Sequence, residues 1–224
     1  MIASTSAGAR ARLRLALPVP LFCLALLLAS CSVLPKRTPN RIYEPAHIGS
    51  AAGAEWPSVG WSLLVPAPKA GRQLDTDRIT VRPSAGVIQV YQDASWIDSA
   101  PELVQASLLR HFEDSQKIPA ASPPGGGVRG EYLLLSELRA FESVYVQPGQ
   151  PQVQVELFVR LVHSGDGKVV AARAFRETED SGSEELSAVV DAFSHALDRA
   201  SSDVVGWTLI NGQKAEAMPA GSAR

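Results

Sequence analysis

The sequence predicts a single domain of the α+β class, and three patterns support this prediction. Between residues 152 and 163, five aliphatic side chains occupy every second position, which is the spacing of a strand that buries one face. Two other segments, one after Ser99 and one after Ser183, place apolar residues at helical spacing. Because a sheet must cover its apolar face, we expect a mixed, largely antiparallel sheet with two main helices packed on one face.

Short β-rich runs separated by proline and glycine predict the strands. In order, the expected strands are residues 61–65, 78–82, 87–91, 131–146, 152–163 and 168–178. The last two are joined by the turn sequence Ser164–Gly167, so they should form an antiparallel hairpin. Within the 152–163 strand, the side chains expected to face the core are Val153, Val155, Leu157, Val159 and Leu161.

Both helices have recognisable start signals. Ser99 and Glu102 form a capping box with Pro101 in the first turn, and the apolar stripe behind them contains Val104, Leu108 and Phe112. The second helix should begin near Ser183, with two glutamates in its first turn, where the helix dipole favours negative charge. Its apolar stripe consists of Leu186, Val189, Val190, Phe193, Ala196, Leu197 and Ala200.

The first 30 residues have the composition of a secretory signal peptide. Three arginines within residues 10–14 precede an apolar stretch, residues 15–28, whose 14 residues are too few for a bilayer core that needs about 20. The run Leu28–Cys31 then resembles a bacterial lipobox, with cleavage expected between Ser30 and Cys31. The alternative is an ordinary signal peptide that happens to be followed by a cysteine.

Cleavage there would make Cys31 the first residue of the mature protein, carrying diacylglycerol and an N-acyl chain. Each acyl chain contributes about 0.8 kcal/mol per buried methylene, so several chains give a stable anchor. Ser32 is not the aspartate that retains lipoproteins in the inner membrane, so we expect the periplasmic face of the outer membrane. The expected organisation is signal peptide 1–30, lipidated flexible tether 31–59, folded domain 60–212 and disordered tail 213–224.

The composition of the mature chain excludes several classes of function. Removing 30 residues, with three arginines and no acid, leaves 194 residues with 18 basic and 23 acidic side chains, a formal charge of −5. Such a domain lacks the basic footprint that nucleic acid requires. Cys23 lies in the cleaved segment and Cys31 is the lipid site, so we expect no disulfide, thiol nucleophile or cysteine metal site.

No catalytic or metal-binding motif stands out, and we expect neither an enzyme nor a cofactor apart from the lipid. The glycine-rich run 123–130 lacks the Gly-Lys-Ser/Thr ending of a phosphate loop, and no G-x-S-x-G elbow is present. Four histidines, none at metal-ligand spacing, are interpreted as solvated or packed side chains: His47, His111, His163 and His195.

The segment from Tyr91 to Asp98 joins a strand to the first helix and contains a large aromatic residue in a polar stretch. Two interpretations of Trp96 are open. It could plug the end of the core while Asp98 or Ser99 caps the helix, or it could anchor a partner protein, because tryptophan and tyrosine are enriched in interface hot spots. The candidate interface residues are Tyr91, Asp93, Trp96 and Asp98.

Several weak motifs in a fixed order, after the lipobox, resemble one known family. The matching runs are Trp61–Val65, Asp77–Pro83, Ala94–Asp98 followed by Pro101, Leu138–Glu142, Val155–Leu161 and Val190–Leu197. They are similar to the auxiliary lipoproteins of ABC-type transport systems, a PqiC-like family associated with MCE-type lipid transporters. The resemblance extends over residues 60–210, whereas the long Pro/Ala/Gly-rich stretch before Trp61 departs from it.

The resemblance implies a non-catalytic periplasmic partner of a membrane ATPase and permease and of an MCE protein that carries lipid across the periplasm. Binding would occur through protein contacts, at a sheet edge or through the Tyr91–Asp98 segment. The alternative function is a structural or assembly lipoprotein of the outer membrane that supports another envelope complex. The transported molecule and the oligomeric state, including a homo-oligomer, are left open.

Overall fold

The computed structural model describes residues 39–49, 53–125, 127 and 129–217. Within this part of the chain there are nine strands in one sheet and two helices. The strands are β1 (Arg41–Tyr43), β2 (Ser62–Leu64), β3 (Lys69–Ala70), β4 (Arg78–Ser84), β5 (Val87–Trp96), β6 (Ala120–Ser122), β7 (Tyr132–Gln147), β8 (Gln150–His163) and β9 (Val169–Asp180). The helices are α1 (Ala100–Ser115) and α2 (Leu186–Ala217).

The 16-residue strand β7 organises the sheet. One edge of β7 pairs antiparallel with β8, which pairs antiparallel with β9, so the predicted hairpin is confirmed. The other edge of β7 is bordered in turn by β2, β3 and β4, all parallel to it. Beyond these lie β6, next to β2, and the pair β5 and β1, next to β4. The α+β class with a mixed sheet is therefore confirmed.

The core lies between the sheet and the helices. The five alternating side chains predicted for β8 all have 0% exposure: Val153, Val155, Leu157, Val159 and Leu161. Helix α2 packs across β8 and β9, and α1 packs against α2. The helical stripes predicted from the sequence supply the opposing layer, and Val104, Leu108, Val189 and Phe193 are each 0% exposed.

The N-terminal part of the domain begins earlier than expected. Residues 39–49 were assigned to the flexible tether, but β1 pairs with β5, and the Ala46 N–H donates to Ser194 Oγ at 2.9 Å. Val59 is buried, and its N–H donates to the Lys117 carbonyl oxygen at 2.8 Å. In both contacts the donor is a backbone N–H group. Because every residue except proline has this group, such contacts impose no regular spacing of apolar side chains on the sequence. A segment rich in proline and small residues could therefore pack here without giving a secondary-structure signal.

The C-terminal helix is also longer than expected. Helix α2 continues to Ala217, past the predicted domain end at residue 212, and so takes in part of the expected disordered tail. Its start lies three residues after the predicted one: the helix begins at Leu186, so Glu184 and Glu185 precede it and the prediction that they lie in its first turn is wrong. The Val189 N–H donates to the Glu185 carbonyl oxygen. Neither of the described helices combines the length and the apolar character needed to cross a membrane.

Candidate interface on the open sheet face

The lipidation site predicted at Cys31, with cleavage after Ser30, lies outside the described residues and stays a prediction. The first described residue is Pro39, which is followed by β1 at one edge of the sheet. Among the described residues, β1 is therefore the first element along the chain.

Trp96 belongs to the core. Its side chain is 2% exposed, and its ring packs at 5.0 Å edge-on against Phe193 of α2 and at 5.7 Å against Phe141 of β7. A side chain with so little exposure cannot anchor a partner on the surface of the folded domain. The structure thus favours the core interpretation of Trp96 over the interface interpretation.

The other three predicted interface residues lie at the surface or just beneath it. Tyr91 is half-buried and donates from its hydroxyl to Ser143 Oγ at 3.3 Å. Its neighbour Tyr145 is partly withdrawn from water, and this burial, together with Tyr91 and Glu184, raises the pKa of Tyr145 to about 12. Tyr145 is therefore uncharged at neutral pH.

Asp93 and Asp98 are exposed but have different structural roles. Asp93 has a φ of +52°, a left-handed conformation that aspartate tolerates better than most residues, and it lies where the β4–β5 register shifts. Asp98 precedes the helix cap, which is Ser99. The Ser99 N–H and Oγ donate to Glu102 Oε2 at 3.2 and 2.8 Å. The predicted capping box is confirmed.

Exposed aliphatic side chains lie at separate positions along the sheet face that the helices do not cover. Val81, buried in β4, pairs with Gln89 of β5, so the alternate residues Ile88 and Val90 project to the opposite face. By the same alternation, Ile42 of β1 pairs with Ser95 and points away from the core that Trp96 enters. We define the open-face patch as Ile42, Ile88, Val90 and Val146, which are 67%, 46%, 38% and 64% exposed.

A bidentate ion pair lies on the same face and fastens β4 to β7. Arg82 Nε and Nη2 donate to Glu142 Oε1 and Oε2 at 3.0 and 2.9 Å. The Glu142 side chain is only 9% exposed, whereas that of Arg82 is 29% exposed. The pair thus forms a neutral, rigid polar centre beside the open-face patch.

The β1 strand leaves one edge of the sheet open. Among the described residues β1 pairs with β5 alone, and the Ile97 N–H donates to the Tyr43 carbonyl oxygen at 2.9 Å just beyond the pairing. Ile97 itself is 54% exposed. An edge strand that pairs on one side among the described residues, with exposed aliphatic side chains on it, is suited to pairing with a strand of another protein.

The sequence did not indicate this surface. Residues 87–91 carry the aliphatic composition of a buried strand, and only the tertiary structure shows that no layer covers their outer side. Of the four histidines, His195 is exposed on α2 and His163 contacts Asp166 at 2.9 Å in a turn. The other two, His47 and His111, approach one another although 64 positions separate them in the sequence.

Comparisons with known proteins agree with this fold. The model of a family described as "ABC-type transport auxiliary lipoprotein component" matches residues 45–205. The crystal structure of protein XCC0632 from Xanthomonas campestris is 40% identical, with a TM-score of 0.74 over 79% of this chain and 99% of that chain. Another solved protein, 14% identical with a TM-score of 0.57 over 75% of this chain and 97% of that one, supports the fold alone.

A relative from Bradyrhizobium diazoefficiens, protein bll6063, is 32% identical over 166 residues. The match takes in 74% of this chain but only 43% of that relative. The family match, in contrast, extends over most of the described domain. The chain therefore belongs to the family of ABC-type transport auxiliary lipoprotein components.

Proposed function

We propose that the protein is a non-catalytic adaptor of an MCE-type ABC transport system for lipids or other hydrophobic molecules. In this proposal it is held by acyl chains on Cys31 at the periplasmic face of the outer membrane. The observation that carries the proposal is the open-face patch beside the free β1 edge, in a domain whose family assists ABC-type transport. The partners would be the MCE protein and the permease and ATPase of the same system.

The chemistry of this surface favours a protein partner. Its aliphatic side chains are spread along neighbouring strands, and the ion pair beside them is already satisfied within the domain. A partner would therefore need to offer apolar side chains and a strand edge, not a compensating charge. The exposed ends of a strand-rich periplasmic protein, as we propose for the MCE component, would meet this requirement.

Ile88→Asp should reduce recovery of the transport partners at least about 10-fold, because it places a charge where the proposed interface excludes water, and a hot-spot side chain contributes about 2 kcal/mol or more. Val169→Asp is the matched control, since Val169 is 56% exposed at the start of β9, across the sheet from the patch. Both changes replace exposed side chains and should alter the free energy of unfolding by about 0.5 kcal/mol or less. The measurement is affinity purification from solubilised membranes, with the recovered transport subunits quantified by mass spectrometry.

Three outcomes separate the possibilities. Loss of the MCE protein and permease from Ile88→Asp but not from Val169→Asp supports the adaptor role at this surface. Equal recovery from both variants contradicts the proposed interface. Recovery of a different envelope complex by the unaltered protein, with no transport subunit, would favour the structural or assembly role instead.

Cys31→Ala should remove the protein from the outer-membrane fraction, because the Cys31 thiol is the group expected to accept the diacylglycerol. The unaltered protein should sediment with outer-membrane markers in a density gradient, and the variant should appear in the soluble periplasmic fraction or as an uncleaved precursor. Cosedimentation of the unaltered protein with inner-membrane markers would refute the predicted location.

A further inference from the structure

Three potential metal ligands converge where the N-terminal segment meets both helices. His47 precedes β2 by 15 positions, His111 lies on α1 and Asp198 lies on α2. One ligand atom from each residue lies within 4.8 Å of the other two. His111 and Asp198 are 4% and 5% exposed, and the His47 side chain is 21% exposed. Buried groups of this kind require charge compensation within the protein.

The hydrogen bonds of His111 require a proton or a metal ion between its Nε2 and Asp198. Its Nδ1 lies 2.8 Å from the Ser107 carbonyl oxygen, which can only accept, so Nδ1 carries a proton. A neutral His111 would then turn an unprotonated Nε2 toward Asp198 Oδ1, 3.1 Å away. Two lone pairs at this distance repel each other, so a proton, carried by His111 or by Asp198, or a metal ion must lie between the two atoms.

His47 and Gly49 complete the surroundings. Asp114 Oδ2 lies 2.6 Å from His47 Nε2, and the two imidazole rings of His47 and His111 meet edge-on with centroids 4.9 Å apart. The Gly49 N–H donates to Asp198 Oδ1 at 2.9 Å and so fixes that carboxylate. Carboxylate–histidine and carbonyl–histidine pairs are the usual outer partners of metal-bound imidazoles.

A small pocket of about 40 Å³ opens beside these residues, large enough for one or two water molecules. Glu44 and Arg110 also line it, adding one negative and one positive group to its wall. The imidazoles of His47 and His111 lie against the carboxylates of Asp114 and Asp198, at 2.6 and 3.1 Å. Water in the pocket could supply the ligand position that three side chains leave open.

We propose that His47, His111 and Asp198 bind a divalent transition-metal ion of the zinc class, with water as the fourth ligand. Two imidazoles and one carboxylate form a donor set that zinc accepts in tetrahedral geometry. Bonds of about 2.0–2.1 Å place neighbouring ligand atoms about 3.4 Å apart, so the present arrangement needs only a modest contraction. The metal would fasten residues 39–49 to α1 and α2, a role independent of which transport partner binds.

The test uses the full chain, extracted in detergent, stripped with chelator and titrated with zinc chloride by calorimetry, with cobalt(II) absorption as a second readout. We expect saturable binding of one ion per chain and the visible bands of tetrahedral cobalt. His47→Ala should weaken zinc binding by more than about 100-fold, and Asp114→Asn by about 10- to 100-fold. His195→Ala, on the exposed side of α2, is the control and should bind as the unaltered protein does.

Amide hydrogen exchange measures whether zinc holds residues 39–49 against α1 and α2. Zinc should slow exchange of the Ala46 and Gly49 amides in the unaltered protein and in His195→Ala, but not in His47→Ala. His47 is partly exposed, so its replacement should leave the domain folded, which circular dichroism checks. Absence of saturable binding, or equal binding by all variants, would overturn the proposal and assign the second proton of His111 to a simple ion pair with Asp198.

Discussion

Trp96→Ala should lower the free energy of unfolding by about 3–5 kcal/mol, the loss expected when a fully buried aromatic side chain is removed. The rings of Trp96, Phe141 and Phe193 all pack against one another, with centroids 4.8 to 5.7 Å apart, so removing the indole leaves a cavity where the sheet meets α2. Urea denaturation followed by far-ultraviolet circular dichroism measures the loss. Because Trp96 Nε1 has no hydrogen-bond partner among the described residues, Trp96→Phe removes volume alone and should cost less.

This pair of variants also separates the two sequence-based interpretations of Trp96. If the residue acts through the core, partner recovery should fall only in proportion to the unfolded fraction and should be retained by Trp96→Phe. A stability loss below about 1 kcal/mol, together with lost partner recovery, would contradict the core role and restore Trp96 as an interface anchor.

Arg82→Ala should lower the free energy of unfolding by about 2–3 kcal/mol, because it leaves the Glu142 carboxylate enclosed without its cation. This loss of stability is smaller than the loss expected for a fully buried ion pair, because the Arg82 side chain is 29% exposed. Arg176→Ala provides a matched control, since the Arg176–Glu156 pair has the same chemistry on an arginine that is 67% exposed. That control should cost less than about 1 kcal/mol in the same urea titration.

A double variant tests the cause of the Arg82 effect. Replacing Arg82 with Met and Glu142 with Leu together removes the enclosed charge and should recover most of the lost stability. If the double variant is as unstable as Arg82→Ala, the loss comes from packing of the arginine stem on β4 and not from the unpaired carboxylate.

The sequence predicted the helices and strands in which buried and exposed residues recur at a regular spacing. The β8 strand alternates strictly and is buried accordingly, and the stripes of α1 and α2 match their buried faces. Ser99 and Glu102 likewise predicted the start of α1, because the hydrogen bond between their side chains joins residues three positions apart. In each case the information lies within a few neighbouring residues, where a sequence pattern can register it.

The remaining features depend on contacts between distant segments. Residues 39–49 are held by a sheet edge and by side chains of α2 about 150 positions away, such as Ser194. Ile88 and Val90 have the composition of core residues but lie on a face that nothing covers among the described residues. His47, His111 and Asp198 meet only after three segments have packed. No period or motif within one segment could have predicted these arrangements.

The position of β1 in the sequence limits how far the folded domain could lie from a lipid on Cys31. With a lipid on Cys31, only ten positions precede Arg41 of β1, which span at most about 35 Å even when fully extended. A compact domain of this size has a diameter of about 40 Å, so the segment between a lipidated Cys31 and β1 would be shorter than the domain itself. Such a domain could pivot at the membrane surface but could not travel across the periplasm, and the transporter would have to extend to meet it.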